Sequence, residues 1–305
     1  MGKVAFIFPG QGSQYVGMAK DLFEKSEKIR NAALEAEEAI NFKLSEVMFE
    51  GPMESLKQTD ITQPAIFMHS VFLNSLIQNI KPDMAAGHSL GEYSALVCAD
   101  AIDMIDAIKL VRTRGQAMLQ AGKEQPGTMA AVVGLENQKV EEACREASEI
   151  GVVQCANFNS SGQIVISGSI EGVRKAMEIC KLSGAKLVKE LIVSGAFHSP
   201  LMSGAKEKLK AKLEETSIRN SRIPVYANVT AKPAINASEI KNLLFEQLSA
   251  PVRWEETILN MIEDGADEFI EIGPGKVLQG LVKRINKDVK VWGIDTFEDV
   301  ERCMA

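Results

Sequence analysis

Residues 87–93 read Gly-His-Ser-Leu-Gly-Glu-Tyr, a serine with one glycine two positions before it and another two positions after. A serine so spaced can attack a carbonyl carbon when a strand delivers it and a helix carries the chain away, because only small residues fit beside the tight turn between them. The first N–H groups of that helix, Leu90 among them, then face the negative charge that develops on the attacked oxygen. The competing role for Ser89 is a helix cap, with Glu92 three residues on closing a capping box.

A serine hydroxyl needs a base, and the chain contains three histidines. His88 adjoins Ser89, and consecutive side chains diverge at a sharp turn, so it makes a poor base. His69 lies in an apolar helical stretch and reads as a core histidine. His198, in Ser-Gly-Ala-Phe-His-Ser-Pro, remains. It sits in a loop where two structural units meet, the kind of place where clefts form; its alternative role is to start a helix ahead of Ser199-Pro200. No Asp or Glu stands in a motif that marks it as a third triad member. Gly10-Gln11-Gly12 follows a strand and opens a helix, so its backbone N–H groups can bind an oxyanion, with Gln11 the natural donor. Arg112 and Arg114 flank the apolar stripe of their helix on opposite sides. Either can reach a cleft, and either can be a solvated helix edge.

Two glycine-rich stretches fail as nucleotide motifs. In residues 9–17 the third glycine of G-x-G-x-x-G falls on Tyr15, and around Gly275-Lys276 the P-loop pattern meets Ile270 and Val277 instead of Gly and Ser/Thr.

The elements that must position these residues follow from periodicity. Val4–Phe8 is a short apolar run suited to a buried strand. Helical stretches are expected over Tyr15–Ile40, with a polar break, and over Gln63–Ile80, Leu90–Cys98 and Asp103–Leu119, with a strand over Pro82–Gly87. Lys123–Gly127 reads as a linker. Beyond it come a strand (Thr128–Gly134), a helix (Glu136–Glu149), two strands (Val152–Ala156 and Gln163–Ser167) joined by the turn-rich Asn157–Gly162, a helix (Glu171–Ser183) and a strand (Lys186–Val193). This β-α-β-β-α-β order is the ferredoxin-like arrangement. Afterwards helices (Pro200–Thr216, Ala237–Leu248, Glu255–Asp264 and one following Lys276) alternate with strands (Pro224–Asn228, Glu268–Ile272, Val289–Gly293), which implies an α/β domain with a mainly parallel sheet. The expected organisation is a large α/β domain of residues 1–125 and 194–305 carrying an inserted small ferredoxin-like domain of residues 126–193.

The 305 residues are 46% hydrophobic and 25% charged, an ordinary soluble composition, and the net charge of −7 provides no field for nucleic acid. The odd set of five cysteines shows no C-x-x-C spacing, which argues against a disulfide framework or a zinc site. The N-terminal apolar run is too short for a signal peptide, and nothing approaches the roughly 20 apolar residues of a membrane span. A cytoplasmic protein without a membrane association is expected.

Taken in order, Gly-Gln-Gly-Ser-Gln after the first strand, Gly-His-Ser-Leu-Gly-Glu-Tyr, Arg-Thr-Arg-Gly-Gln-Ala-Met, Gly-Ala-Phe-His-Ser-Pro and Ile-Gly-Pro-Gly-Lys-Val-Leu closely resemble the bacterial malonyl-CoA:acyl carrier protein transacylases and the acyltransferase domains of fatty acid and polyketide synthases. The resemblance spans nearly the whole chain and implies an α/β-hydrolase-like large domain. It also implies S-malonyl transfer in type II fatty acid synthesis. Ser89 attacks the thioester of malonyl-CoA, His198 takes its proton, and the backbone N–H groups of Gln11 and Leu90 hold the oxyanion. The malonyl group then leaves for the phosphopantetheine thiol of acyl carrier protein. By the same resemblance Arg114 grips the malonyl carboxylate, for which its planar fork is suited. Gln247 belongs to the substrate site and orients His198 through its backbone carbonyl, and Phe197 crowds a methyl branch on the acyl group. No cofactor or metal is implied, and the family default is a monomer. From the residues alone, a serine hydrolase or thioesterase of similar fold and a carrier-protein binding module with a decayed site stay open.

Overall fold

The computed structural model describes residues 2–304. Its strands, in chain order, are β1 (Lys3–Phe8), β2 (Met84–Gly87), β3 (Gly127–Val133), β4 (Val153–Ser160), β5 (Gln163–Ser169), β6 (Leu187–Glu190), β7 (Val225–Tyr226), β8 (Pro233–Ala234), β9 (Ala266–Ile272) and β10 (Lys290–Ile294). They form a six-stranded sheet ordered β10-β9-β1-β2-β7-β8 and a four-stranded sheet ordered β4-β5-β3-β6. The larger sheet is parallel except for its edge strand β8; the smaller is wholly antiparallel. With the helices Asn137–Ala147 and Ile170–Leu182 interposed, the smaller unit has the expected β-α-β-β-α-β order.

The parallel sheet is buried on both faces, which explains why its strands read as unbroken apolar runs. Side chains alternate across the pleat. Phe6 and Phe8 pack into one core with Ile66 and Phe67 of the helix Thr59–Leu76. Ala5 and Ile7 pack into a second core with Met84, Trp254 and Phe269. The small residues Ala85, Ala86 and Gly87 let helices close over β2, and all four residues of the strand are buried. Ligands in open α/β sheets bind beyond the carboxyl ends of the strands. Here β1, β2 and β7 end at Phe8, Gly87 and Tyr226, two or three residues before Gln11, Ser89 and Asn228 respectively.

Several expected boundaries move, each for a physical reason. The stretch Tyr15–Ile40 is two helices, Lys20–Lys25 and Glu27–Ile40, because Ser26 caps the second by accepting from the Ile29 N–H. The next long helix starts at Thr59 rather than Gln63 and contains Pro64. A proline lacks the N–H that would bond the carbonyl four residues back; that carbonyl, Asp60, accepts instead from the Arg112 guanidinium. The helix Met104–Glu124 takes in the first two residues of the expected linker, and β3 takes in the last. Asn157–Ser160, expected as a turn, extends β4 with a bulge, and these polar residues are buried where the small unit meets the large one. There the Phe158 N–H donates to the Val252 carbonyl and the Val252 N–H to the Ala156 carbonyl, at 2.9 and 2.8 Å. Among the described residues, no helix is long and apolar enough to cross a membrane.

Candidate active site

Ser89 stands one residue beyond β2 and precedes the helix Gly91–Cys98, and its φ of 52° is left-handed. That conformation costs a non-glycine residue about 1–3 kcal/mol and persists only where its surroundings enforce it. Asn228, fully buried, supplies the enforcement. Its side-chain oxygen accepts from the Ser89 N–H at 2.7 Å, and its amide nitrogen donates to the Gly87 carbonyl at 2.7 Å. The flanking glycines are required by contact: a Cβ on Gly87 would lie 1.8 Å from the Gly91 carbonyl carbon, and one on Gly91 would lie 2.0 Å from the Phe8 oxygen. Backbone surrounds both, so neither clash can relax by a rotamer change. Gly91→Ala is therefore expected to cost about 3 kcal/mol, seen as a lowered urea midpoint at unchanged m. The capping box does not form. The Ser89 side chain points away from the helix, and Glu92 accepts from the Asn228 N–H at 2.9 Å and from Gln247 Nε2 at 2.8 Å.

His198 comes from a loop after β6 and is also left-handed, with φ 56°. Gln154 Nε2 pins it by donating to its carbonyl at 2.8 Å. Its Nε2 lies 2.8 Å from Ser89 Oγ, and its Nδ1 lies 2.9 Å from the Gln247 carbonyl and 3.2 Å from that of Ala250. Carbonyls only accept, so Nδ1 carries the proton and Nε2 presents its lone pair to the serine hydroxyl. Burial, followed by the Arg114 charge, pushes the imidazole down from its usual 6.5 to about 3. The folded protein thus holds the ring neutral throughout the physiological range. The expected result is a His198 Cε1–H resonance that stays at its neutral position from about pH 8 to about pH 5, checked by NMR titration.

Arg114 is fully buried. Its Nη1 donates to Gln63 Oε1 at 2.7 Å; its Nη2 donates to Gln247 Oε1 at 2.9 Å and to Ser89 Oγ at 3.1 Å. The guanidinium carbon stands 5.5 Å from the centre of the Tyr93 ring. Gln63 is itself oriented by Nε2 donating to Met118 Sδ at 3.2 Å. Among the described residues no carboxylate forms an ion pair with Arg114, and its Nε finds no acceptor. A cation taken out of water and left without a direct counter-ion strongly favours an anion beside it. Arg112 is the structural arginine, pairing with the Asp60 carboxylate at 3.0 Å.

A cleft of about 240 Å³ opens over these groups, lined among others by Gln11, Leu90, Phe197, Val277 and Leu281. Within the described residues, the N–H groups of Gln11 and Leu90 donate to no protein acceptor. Phe197 is nearly buried against the same space. His88 also lines the cleft but does not reach Ser89 Oγ; its Nε2 is 2.9 Å from Asn159 Oδ1 and its ring lies beside Trp254. His69 is a core residue, its Nε2 2.7 Å from the Asp295 carbonyl. No group of three His, Cys, Asp or Glu that could hold a metal occurs among the described residues.

Comparison with known proteins gives the family. The family model of the acyl transferase domain matches residues 5–303. The chain belongs to the acyl transferase family. A relative named malonyl CoA-acyl carrier protein transacylase, from Bacillus subtilis (strain 168), is 45% identical over 304 residues, covering 99% of this chain and 96% of its own. The crystal structure of an acyl carrier protein S-malonyltransferase from Vibrio cholerae superposes with a TM-score of 0.94 at 42% identity, covering 98% of this chain and 99% of that one. A malonyl-transacylase solved in complex with its type II polyketide synthase acyl carrier protein superposes with a TM-score of 0.94 at 39% identity, covering 99% and 98%.

Within this acyl transferase, the structure brings together every site residue singled out from sequence: Ser89, His198, Arg114, Gln247, Gln11, Leu90 and Phe197 surround one cleft or support its wall. Sequence reasoning missed Asn228, Gln63 and the side chain of Gln247. Asn228 had one available signal, a polar residue just past the end of a strand beside the serine strand. Gln63 had another, an amide ahead of a proline inside an apolar helix.

Proposed function

We propose that this acyl transferase is a malonyl-CoA:acyl carrier protein S-malonyltransferase that works through a malonyl ester of Ser89. One observation carries the choice of acyl group. Arg114 Nη2 lies 3.1 Å from Ser89 Oγ, so an anion on the guanidinium must sit within one methylene of the carbonyl carbon under attack. Malonyl has that spacing, and longer diacids do not. The names of the relatives, which specify malonyl transfer to acyl carrier protein, support the same reading.

His198 Nε2 takes the serine proton as Oγ bonds to the thioester carbon. The oxyanion rests on the N–H groups of Gln11 and Leu90, each such donor contributing about 2.7–4 kcal/mol to the transition state. Collapse expels the CoA thiolate, which receives the proton from His198. The carrier's phosphopantetheine thiol then gives its proton to His198 as its sulfur bonds to the ester carbon, the ester bond breaks, and Ser89 Oγ takes that proton back from His198 Nε2. Phe197 crowds a branch at the carbon between the two carbonyls, a hydrophobic discrimination of roughly 10–200-fold. Residues 126–193 act as an inserted unit that closes the cleft against residues 1–125 and 194–305. The protein is taken as a cytoplasmic monomer that needs no metal or cofactor.

Mixing the protein with malonyl-CoA is expected to add one malonyl mass to the peptide containing Ser89, and holo acyl carrier protein is expected to remove it far faster than water does. Absence of the adduct overturns the transferase; discharge by water at the carrier's rate makes the protein a hydrolase.

A further inference from the structure

Glu92 is buried and lies outside the lining of the cleft, and its side chain hydrogen-bonds none of the reacting groups. Burial pushes its carboxyl up to about 7, a group held at a cost in desolvation. Its Oε2 receives two donors. One is Gln247 Nε2 at 2.8 Å; the other is the Asn228 N–H at 2.9 Å. Each partner reaches on to the reacting groups. The Gln247 amide nitrogen also donates to the Ser89 carbonyl at 2.9 Å, which turns its oxygen toward Arg114 Nη2 at 2.9 Å. Asn228 clamps the serine turn from both ends. A primary amide can rotate by half a turn with little change of shape. In the reversed orientation Gln247 would present N–H to the guanidinium, donor against donor, and Arg114 would lose one of its two amide anchors.

We propose that Glu92 is a positioning residue that locks the Gln247 amide in the one orientation that holds Arg114 for the acyl carboxylate. The proposal rests on the malonyl-transfer reading and assigns to Glu92 part of the enzyme's preference for an acidic acyl group. Reach is what the role requires. An acceptor oxygen must span both donors at once, and a formal charge is not needed to fix the amide.

Two conservative variants separate reach from charge. Glu92→Gln keeps an acceptor oxygen at full length and removes the charge; Glu92→Asp keeps the charge and withdraws the carboxylate by one methylene. Single-turnover acylation of Ser89 is followed by intact mass with malonyl-CoA and, separately, acetyl-CoA. The ratio of the two rates is the readout, since a loss of folded protein lowers both equally. E92D is expected to lower the malonyl-to-acetyl ratio about tenfold, the scale of one oriented hydrogen bond to a charged group, while E92Q holds it within about threefold of the wild type. An unchanged ratio in E92D, or a larger fall in E92Q than in E92D, overturns the proposal. Failure of the wild-type protein to form malonyl-Ser89 is a different outcome, which rejects the functional reading on which the proposal stands.

Discussion

Ser89→Ala is expected to abolish acyl-enzyme formation, with malonyl transfer falling about 10⁴–10⁶-fold, while the fold and the thermal midpoint change little. The magnitude follows from what leaves with the hydroxyl. A serine and its histidine act as a unit, and removing the nucleophile forfeits nearly all catalysis except the residue supplied by binding and the oxyanion donors. The small stability effect follows from the backbone: the Asn228 clamp holds the Ser89 N–H, not its hydroxyl, and alanine keeps the left-handed turn with similar strain. The measurement pairs intact-mass detection of the malonyl adduct with a transfer assay to carrier protein. A residual rate within tenfold of the wild type would remove Ser89 from the mechanism.

Arg114→Ala carries the second-largest effect, and its sign depends on the substrate. Malonyl transfer is expected to fall about 10²–10⁴-fold, the cost of taking one partner from a buried, hydrogen-bonded charge pair. Acetyl transfer should fall far less, because acetyl offers the guanidinium nothing and in the wild-type protein leaves a buried cation unpaired. The ratio of the two therefore collapses. Arg114→Lys should restore only part of it, since an ammonium is a point charge without the planar fork. Equal losses for both acyl groups would show that Arg114 serves the serine and not the carboxylate. Some destabilisation accompanies either change, because Gln63 and Gln247 lose their shared donor.

The parts of this site that were legible in the sequence are those written in local spacing. Gly87 and Gly91 announce the turn at Ser89 because two backbone contacts leave no room for a Cβ. His198 could be found by elimination, since few histidines compete and the other two have evident structural places. The alternation of strands and helices gave the parallel sheet, and the β-α-β-β-α-β run gave the small unit. Long-range bonding was not legible. Gln247 lies 158 positions from the serine whose carbonyl it binds, and Asn228 lies 139 positions from the N–H it accepts; local spacing names neither one's partner. The oxygen behind His198 belongs to a backbone, which has no residue type to read, so only the family resemblance pointed to the Gln247 carbonyl. Arg112 and Arg114 were indistinguishable by periodicity because the deciding feature is the carbonyl freed by Pro64 on another helix. Asn157–Ser160 carried the composition of a turn, yet packing between the two units drew those residues into a strand.

The carbonyl pair behind His198 bears on the lifetime of the proposed acyl-serine. A peptide oxygen carries only a partial charge, so an imidazolium forming against Gln247 and Ala250 gains less than it would against a carboxylate, and burial weakens the ring further as a base. Ser89 overcomes that feebleness because it is already seated at 2.8 Å and receives a guanidinium hydrogen bond. Free water, with a pKa of about 15.7, has neither aid. A thiol near 8.5 needs little help to lose its proton. On the proposed mechanism a weakened histidine sorts the incoming acceptors by acidity, so that a stored malonyl ester waits through many encounters with solvent and yields on meeting a sulfur.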